Sequence, residues 1–570
     1  MLILGLHDGH NAAACLLRDG EILGALQEER PRRIKNYHGF PHQAVARLLH
    51  HHGVHWRELD AVVLAGRESY APPGGENDRR AQMRAYKAVC RPAARLRGLL
   101  RHTPLRPAVQ AARQRRRLSP LLAQGVPAER IHWVAHHRCH AATAWFGPGM
   151  DAAALVVTAD GAGDGLCATV SRPGGEGGLE RLLAVPEGHS LGILWAVLTS
   201  LLGMVPLEHE YKLMGMAPYA DPRRARRVRD VIAGAFTRHG RGWRRRPGVP
   251  EMNYSYEYWR RRLEFARFDE ICAGLQAFTE EFVCDWIAHW LEESGRRRLR
   301  LSGGLFMNVK LNQRIAQLPQ VEDLYVFPSC GDETNAIGAA WAWLADRGRA
   351  EHIRPLGPYY LGVPPADGDY QAAAARAAAE GLQVRRPSDL AGEVVALLLA
   401  GEVVARFDGA EEFGARALGN RSLLADPARD DVVRTLNRAI KSRDFWMPFA
   451  CSVLDGYADR YLYNPKDLAA PYMILTFDSR HTDEIRAGTH PEDGSVRPQV
   501  VTRDWAPAYH QLLSRFAEAS GRGALLNTSF NLHGEPIVST PDEAVDVLRR
   551  SGLRHLALGS FLISKPGAGS

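Results

Sequence analysis

Short apolar runs separated by polar glycine loops are arranged in the same way at two places in the first third of the chain. Near the N-terminus, the runs from Leu2 to Leu6, Ala12 to Leu17 and Glu21 to Leu26 predict three strands, with the polar loop HDGHN after the first. At residues 153–185 the runs AALVVTAD, LCATV and LERLLAV repeat this order, and the loop GAGDG follows the first of them. The chain therefore predicts two similar three-stranded meanders, each with a polar loop between its first two strands.

This duplication suggests the actin-like architecture of sugar kinases and Hsp70, in which the two loops face each other across a cleft and bind phosphates. A further strand-to-loop element, LRLSGGLFMN, places glycines directly after an apolar run. Glycine there lets backbone N–H groups approach a nucleotide phosphate or ribose. Three glycines are therefore predicted to bind nucleotide: Gly161, Gly303 and Gly304.

Two histidines and two aspartates form a candidate metal site. His136 and His140 lie one turn apart in the predicted helix HHRCHAATAWF, so both imidazoles share one face. Asp160 ends the run AALVVTAD, and Asp332 ends a second apolar run before the helical stretch AIGAAWAWLA. Such a mixed nitrogen and oxygen set suits Fe(II), Mn(II) or Zn(II) better than calcium. Among 23 histidines a chance pair at this spacing is the alternative, and Asp160 could instead cap a helix or hold a turn.

The chain turns rich in Pro and Gly between Pro355 and Gly368, which predicts a linker. We place a boundary near residue 360, between a first domain at 1–355 and a second at 366–570. An Ala-rich helix and a strand from Val403 to Phe407 open the second domain.

Basic residues in glycine-rich and polar settings characterise the second domain. Gly414 and Gly419 bracket an arginine in EEFGARALGNRS, where the backbone must come close to another group. Guanidinium groups beside Ser and Asn suit phosphoryl recognition, because arginine binds phosphate oxygens in a bidentate manner. Solvation at the surface is the alternative for any single arginine. The candidate residues are Arg416, Lys441, Arg443, Arg497 and Asn527.

Composition and charge narrow the class of protein. The 570 residues are 45% hydrophobic and carry a formal net charge of +8, as expected for a globular protein of two or more domains. Thirteen Lys or Arg and no Asp or Glu lie between Arg79 and Leu118, and without them the chain would be net negative. This stretch has Tyr86 as its single aromatic, so a solvated insertion at about 70–125 is favoured over RNA or anion binding.

Two further features concern the compartment. The uncharged stretch from Ser190 to Leu207 is interrupted by Gly192, Gly203 and Pro206, which predicts a buried helix and no membrane span. The eight cysteines form no Cys-x-x-Cys pair and the start does not resemble a signal peptide. We therefore expect a cytoplasmic protein with reduced thiols.

Ordered motifs along nearly the whole chain resemble one family. They are DGHNAAACLL, EERPRRIKNYHGFP, HHRCHAA, ADGAG, EYKLMGMAPYA, LSGGLFMN, PSCGDETNAIGAA, EFGARALGNRSLLADP, IKSRDFWMPFA, RPQVV and LLNTSFNLHGEPIVSTP. In this respect the protein is similar to the NodU/CmcH-type O-carbamoyltransferases of nodulation-factor and antibiotic biosynthesis.

The resemblance implies an α/β fold with an actin-like domain akin to the tRNA threonylcarbamoyltransferase, followed by a YrdC-like domain. It implies an enzyme, a transferase of one-carbon groups, that makes carbamoyl-AMP from carbamoyl phosphate and Mg-ATP in the second domain. The carbamoyl group then passes, with help from a bound Fe(II)-type ion, to a hydroxyl of a small-molecule natural product. The sequence leaves a homodimer open.

Roles carried over by position follow from the same resemblance. Asp8, His10 and Lys35 match catalytic positions, while Glu210 and Lys212 match the acceptor region. The metal ligands would be His136, His140, Asp160 and Asp332. Carbamoyl phosphate and the adenylate would be bound by Arg416, Lys441, Arg443, Arg497, Asn527 and Ser529, and a nucleotide in the first domain by Gly161, Gly303, Gly304 and Asn308.

The chain departs from the family pattern at three positions. Asn11 replaces an aspartate, Met447 replaces an arginine of the phosphate pocket, and Cys451 replaces a proline. Two other functions remain as alternatives. One is tRNA threonylcarbamoylation, because both halves of the chain resemble enzymes of that pathway; the other is a non-catalytic actin-like nucleotide-binding module.

Overall fold

The computed structural model describes residues 1–68, 106–429, 431–441 and 443–567. Most of the predicted basic insertion, including Arg79 and Tyr86, lies outside the described residues. The chain divides into two compact units, one comprising Met1–Glu28 and Asn36–Leu356, the other Glu29–Lys35 and Gly357–Ser570. The division after Leu356 falls in the stretch rich in Pro and Gly.

The strands of the first unit are β1 Leu2–His7, β2 Ala13–Arg18, β3 Glu21–Gln27, β4 Ala61–Ala65, β5 Ile131–Val134, β6 Ala154–Gly163, β7 Leu166–Pro173, β8 Leu179–Pro186, β9 Phe236–His239, β10 Gly242–Arg245, β11 Arg298–Ser302 and β12 Asp323–Val326. Ten of them form two five-stranded sheets, in the orders β3-β2-β1-β4-β5 and β12-β11-β6-β7-β8. In each sheet an antiparallel meander continues into two parallel strands. The predicted duplication is confirmed, and so is the strand predicted in LRLSGGLFMN, which is β11; strands β4 and β5 were not predicted.

The helices of the first unit are α1 His42–His51, α2 Arg106–Ala123, α3 His136–Phe146, α4 Leu191–Leu201, α5 Glu210–Met216, α6 Pro222–Ala233, α7 Tyr256–Arg262, α8 Phe268–Ser294, α9 Val309–Gln317 and α10 Asn335–Ala345. Helix α10 is buried throughout, as expected of a helix that is apolar on every side. It packs on α3 and on β1, while α3 packs on β6 and β11.

The close approach of these two central helices depends on one glycine. A Cβ added at Gly338 in α10 would lie 2.1 Å from the carbonyl oxygen of Cys139 in α3. A side chain there would therefore force the helices apart. Because α3 carries two of the predicted metal ligands and Asp332 directly precedes α10, this contact also fixes the spacing of the candidate metal site.

The second unit contains the strands β13 Gln383–Arg385, β14 Val404–Phe407, β15 Arg421–Ala425, β16 Ala450–Leu454, β17 Leu462–Tyr463, β18 Phe477–Ser479, β19 Ser495–Val496, β20 Pro498–Val501, β21 Ala524–Ser529, β22 His555–Leu558 and β23 Phe561–Ser564. Eight of these strands form one mixed sheet in the order β13-β23-β22-β14-β15-β21-β16-β20. The remaining three form a small antiparallel sheet.

Besides the short helix Glu29–Arg32, the helices of the second unit are α11 Asp367–Ala379, α12 Leu390–Leu399, α13 Val432–Leu436, α14 Ala458–Tyr461, α15 Pro507–Ser520 and α16 Pro541–Arg550. Two clusters of buried apolar side chains, one including Phe407 and Leu526, the other Leu424 and Phe516, form its core. The fold is thus mixed α/β in both units, as predicted.

The segment Glu29–Lys35, early in the chain, belongs to the second unit. Arg30 is 1% exposed and donates to the carbonyl oxygen of Gly414. Arg33 donates to the carbonyl oxygens of Pro536 and Ile537. This segment falls within the predicted first domain, 1–355, but belongs to the second unit, because no local pattern marks such distant partners.

Within the described residues, no helix is long and apolar enough to cross a membrane. The stretch Ser190–Leu207 contains the buried helix α4, which ends at Leu201.

Candidate metal centre and anion-binding cluster

The four predicted metal ligands meet at one point of the first unit. Helix α3 supplies His136 and His140, β6 supplies Asp160, and Asp332 begins the short 3-10 helix that leads into α10. One ligand atom from each lies within 4.8 Å of the others. The Nε2 atom of His136 is 3.1 Å from Asp160 Oδ2 and 3.3 Å from Asp332 Oδ1, and His140 Nε2 is 3.4 Å from the same Asp332 oxygen.

The charges at this point favour a cation. Burial lowers the pKa of His136, but Asp332 and Asp160 outweigh it and hold that pKa well above its usual value. Burial raises the pKa of Asp332, but His136 and His140 keep it well below the ordinary value. The carboxylates of buried Asp160 and partly buried Asp332 thus require compensating positive charge. A divalent ion meets that demand with the ligand types present.

Neighbouring groups orient the ligands. His140 Nδ1 lies 3.3 Å from Ser302 Oγ, so its Nε2 can face the ligand point as an acceptor. The backbone N–H of Gly304 donates to Asp160 Oδ1 at 2.9 Å, and the Asn335 amide lies 3.2 Å from His140 Nε2. The residues therefore fit a metal ion, and Ser302 and Gly304 are the kind of partner that fixes metal ligands in place. The Asn335 contact uses the nitrogen that would bind the ion, so an ion would replace it. Sequence reasoning missed Asn335, although it lies three residues after Asp332.

The loop after β1 lies beside this centre. His7 is buried, and its Nε2 is 3.8 Å from Asp332 Oδ2 and 3.0 Å from the carbonyl oxygen of His10. Burial lowers the pKa of His7 to about 4, although Asp332 opposes the shift. The His10 side chain is partly exposed. His7 is a further site residue that was missed, and its position next to Asp8 in HDGHN was the available signal.

Asp8 has a partner that the sequence had not indicated. Arg117 in α2 donates to both carboxylate oxygens, at 2.7 and 2.6 Å, and also to the carbonyl oxygens of Ala65 and Gly66. Its guanidinium lies 4.5 Å from the centre of the Trp133 ring. Asp8 and the Arg117 side chain are both buried. Arg117 is thus no solvated member of the basic stretch, and this part of the earlier interpretation is wrong.

The predicted acceptor residues lie on α5. The Glu210 carboxylate accepts from the Leu207 backbone N–H at 2.6 Å, which caps the start of that helix. Burial raises its pKa to about 7, and the neighbouring Glu208 adds to the shift. Lys212 follows on the same helix. Their role toward an acceptor stays a prediction.

The structure gives local roles to the four residues that were predicted to bind nucleotide, Gly161, Gly303, Gly304 and Asn308. The backbone N–H of Gly304 donates to Asp160 Oδ1, and the Gly161 carbonyl oxygen accepts from Ser190 Oγ at 2.6 Å. Gly303 has a φ of +110°, which favours glycine. Asn308 caps α9 and exchanges two amide hydrogen bonds with Gln276. Nucleotide binding by these residues stays a prediction.

In the second unit, Lys441 is a buried cation surrounded by polar groups. It is 3% exposed, and its Nζ donates to the backbone oxygen and the hydroxyl of Ser529 and to Asn531 Oδ1 at 2.9 Å. Burial holds its pKa well below the ordinary value, and the charges of Arg443 and Lys35 add to this effect. These neighbours bring positive charge, not negative charge, to a buried ammonium.

Arg497 has the same kind of surroundings. Burial lowers its pKa well below the ordinary range, and Arg416 and Arg443 lower it further. Arg443 also donates to Thr528 Oγ1 at 2.9 Å. We call Lys35, Arg416, Lys441, Arg443 and Arg497 the cationic cluster. Like charges held together at such a site favour an anion.

Two candidates have positions that differ from their expected roles. The Asn527 side chain is 1% exposed, and its amide donates to Ser452 Oγ at 2.9 Å and the Ala417 carbonyl oxygen at 3.1 Å, so it holds the loop that carries Arg416. Lys35 lies in the second unit, where its charge acts on Lys441. Its predicted part in transfer at the first domain therefore stays a prediction, and the structure groups it with the cationic cluster.

Comparison with known families covers both units of the chain. The sequence matches the family model described as carbamoyltransferase N-terminus over residues 2–341 and the one described as carbamoyltransferase C-terminus over residues 395–565. The chain therefore belongs to the carbamoyltransferase family, and it is an enzyme of that kind. The resemblance inferred from the motifs is confirmed.

Individual relatives narrow the comparison. Nodulation protein NolNO of Sinorhizobium fredii is 31% identical over 98% of this chain and 79% of its own length. An uncharacterised protein of Synechocystis is 30% identical over 98% of this chain and 95% of its own length. The 3'-hydroxymethylcephem-O-carbamoyltransferase of Amycolatopsis lactamdurans is 34% identical over 46% of this chain and 48% of its own length.

Proposed function

We propose that this carbamoyltransferase works in two steps, one in each unit. The second unit, as a YrdC-like domain, forms carbamoyl-AMP from carbamoyl phosphate and ATP. The first unit, as an actin-like domain, transfers the carbamoyl group to a hydroxyl of a natural product. Two sheets of identical strand order support the actin-like assignment.

The cationic cluster is the observation that carries the proposal. Burial and neighbouring cations lower the pKa values of Arg497 and Lys441. Their positive charges therefore have little negative charge nearby in the described structure. Bound phosphates would supply the missing negative charge. Two polyanionic substrates that must react with each other need such a site, because their mutual repulsion opposes the encounter.

The chemistry balances through carbamate. Water takes up the phosphoryl group of carbamoyl phosphate, which gives inorganic phosphate and carbamate. A carbamate oxygen then bonds to the α-phosphorus of ATP, and the bond to pyrophosphate breaks. The cationic cluster would hold the phosphates and stabilise charge on the departing groups.

In the first unit, His136, His140, Asp160 and Asp332 would hold a divalent ion, for which we favour Fe(II). Such an ion would neutralise phosphate charge on the adenylate. His10, which is partly exposed, would accept the proton of the attacking hydroxyl, whose oxygen bonds to the carbamoyl carbon as AMP leaves. Asp8, fixed by Arg117, would shape the loop that presents His10.

The acceptor proposed is a hydroxyl of an antibiotic-type metabolite. The names of the relatives support this class, since one of them is called a hydroxymethylcephem O-carbamoyltransferase. Mass spectrometry of a panel of hydroxylated metabolites, incubated with enzyme, carbamoyl phosphate and Mg-ATP, tests it. The expected result is the mass gain of one carbamoyl group on at least one member.

Exchange of labelled pyrophosphate tests the first step without any acceptor. Full-length protein loaded with Fe(II) is incubated with Mg-ATP, carbamoyl phosphate and labelled pyrophosphate. We expect label in ATP only when carbamoyl phosphate is present. Folded, metal-loaded protein that transfers no label would refute carbamoyl-adenylate formation.

A parallel incubation separates the alternatives. Threonine and bicarbonate replace carbamoyl phosphate, and label in ATP under those conditions alone would indicate threonylcarbamoyl-adenylate chemistry instead.

A further inference from the structure

We propose that Arg30 is a positioning residue for the loop at residues 412–421, which presents Arg416 to the cationic cluster. This inference rests on the proposed adenylate-forming function of the second unit. It assigns a task to a segment that lies more than 380 positions earlier in the chain than the loop it contacts.

Arg30 holds the beginning of the loop. Its Nη2 donates to the carbonyl oxygen of Gly414 at 2.6 Å and to that of Glu412 at 3.4 Å. Its Nη1 donates to Glu411 Oε2 at 3.3 Å. The side chain is buried, so these contacts are shielded from water and from screening by salt. A guanidinium can bind a carboxylate and two carbonyls at once, because its donors form a rigid fork.

Glu412 holds the end of the same loop. One oxygen of its buried carboxylate accepts from the backbone N–H groups of Leu418, Asn420 and Arg421, at 2.7, 2.8 and 3.1 Å. The carboxylate thus closes the loop on itself, with Arg416 between the two anchored ends. Gly414 and Gly419 have φ values of +92° and +120°, which allow the reversal of direction.

Two further carbonyls near Arg416 accept hydrogen bonds from buried side-chain amides. Asn527 donates to the Ala417 oxygen at 3.1 Å, and Gln499 donates to the Leu418 oxygen at 2.7 Å. The side chains of Arg30, Glu412, Gln499 and Asn527, which hold the loop, are all buried, and Arg30 is the one supplied from the N-terminal segment. A loop ordered in this way can place a guanidinium before the substrate arrives, which lowers the reorganisation required on binding.

Arg33 offers a matched control in the same segment. It donates to Ile537 and Pro536 carbonyl oxygens at 2.7 and 2.8 Å and lies 3.2 Å from Glu543, so it helps to dock the segment. None of these contacts involves residues 412–421. A substitution of Arg33 therefore tests how the segment Glu29–Lys35 binds to residues 536–543. A substitution of Arg30 tests the hydrogen bonds to the loop at residues 412–421.

The test compares full-length wild type with Arg30→Lys, Arg30→Ala and Arg33→Ala. Hydrogen exchange of the peptide spanning residues 412–421 is measured without substrates, and titration with inorganic phosphate gives the affinity of the cluster. Carbamoyl phosphate-dependent pyrophosphate exchange gives KM and kcat. Arg30→Lys retains the positive charge beside Glu411 and is the informative variant if Arg30→Ala fails to fold.

We expect Arg30→Lys to speed exchange of the 412–421 amides about tenfold, to weaken phosphate binding, and to raise KM for carbamoyl phosphate about tenfold. Arg33→Ala should leave all three within about twofold of wild type. Unchanged loop exchange and KM in Arg30→Lys, or equal effects in Arg33→Ala, would overturn the assignment. If wild type lacks pyrophosphate exchange, the proposed function fails, while loop exchange and phosphate affinity still decide the role of Arg30.

Discussion

Arg117 binds Asp8 through two parallel hydrogen bonds, and both side chains are buried. Two further donors of the same guanidinium bind the carbonyl oxygens of Ala65 and Gly66, at the end of β4. The pair therefore connects helix α2 to the loop after β1 and to the end of the neighbouring strand. Bidentate geometry of this kind is specific to arginine.

Removal of one partner should leave a buried charge uncompensated. We expect Arg117→Met to lower the free energy of unfolding by about 3–5 kcal/mol, and the double variant with Asp8→Asn to recover a large part of that loss. Chemical denaturation of the full-length protein measures both. Arg116→Met on the exposed side of α2 is the control and should change stability by less than about 0.5 kcal/mol. Equal effects at positions 116 and 117 would contradict the buried pair.

Metal affinity should follow the hydrogen bonds around the ligands. Since Ser302 lies against His140 Nδ1, Ser302→Ala should weaken binding of Fe(II) roughly 10- to 100-fold, and His140→Ala should weaken it further. Metal content after dialysis against a graded chelator measures the difference. Ser200→Ala is the control, because Ser200 is buried and the described residues give its hydroxyl no hydrogen-bond partner. Full retention of metal by His140→Ala would exclude it as a ligand.

The cationic cluster should be sensitive to loss of one guanidinium. Arg497→Ala should reduce carbamoyl phosphate-dependent pyrophosphate exchange by roughly 100-fold or more, because a buried donor to charged phosphates disappears. Arg497→Lys should retain part of the activity, since it keeps the charge. Exposed Arg503 gives the control, and Arg503→Ala should exchange at the wild-type rate. Normal exchange in Arg497→Ala would remove this residue from the adenylation site.

Glu210 should make stability depend on pH. Its pKa of about 7 in the folded protein lies above the usual 4.5, so the folded state binds more protons in this window and stability falls as pH rises from about 4.5 to 7. Glu210→Gln removes this cost and should be more stable than wild type by about 1–3 kcal/mol at pH 8, with little difference at pH 4.5. Denaturation midpoints across this range measure it. The exposed variant Glu264→Gln should show a constant difference, and a constant difference for Glu210→Gln would contradict the raised pKa.

Local pattern was sufficient for the elements that carry the metal site. The two meanders, the helix with His136 and His140, and the strand that ends near Asp160 all follow from periodicity within a few turns or strands. Asp332 could be added because it lies between an apolar run and a helix. The four ligands could then be predicted to lie close together, provided that the two strand ends pack against the helix face that carries the histidines.

Long-range partners could not be predicted in the same way. Arg117 belongs to a run of cations, and a run of that kind usually faces solvent, so its burial depends on Asp8, 109 positions away. The allocation of Glu29–Lys35 to the second unit depends on carbonyl groups beyond residue 410. Backbone acceptors have no sequence signature, which is why these contacts become visible only in the folded chain.

Because Glu29–Lys35 belongs to the second unit, truncation of the protein at residue 357 has a practical consequence. A fragment that starts there would carry the eight-stranded sheet but lack the N-terminal peptide that supplies Arg30 and Arg33. Glu411 would lose the buried cation that lies 3.3 Å away. Residues 357–570 alone therefore do not make up the whole second unit. A fusion of this unit to another protein would also have to include the seven residues Glu29–Lys35.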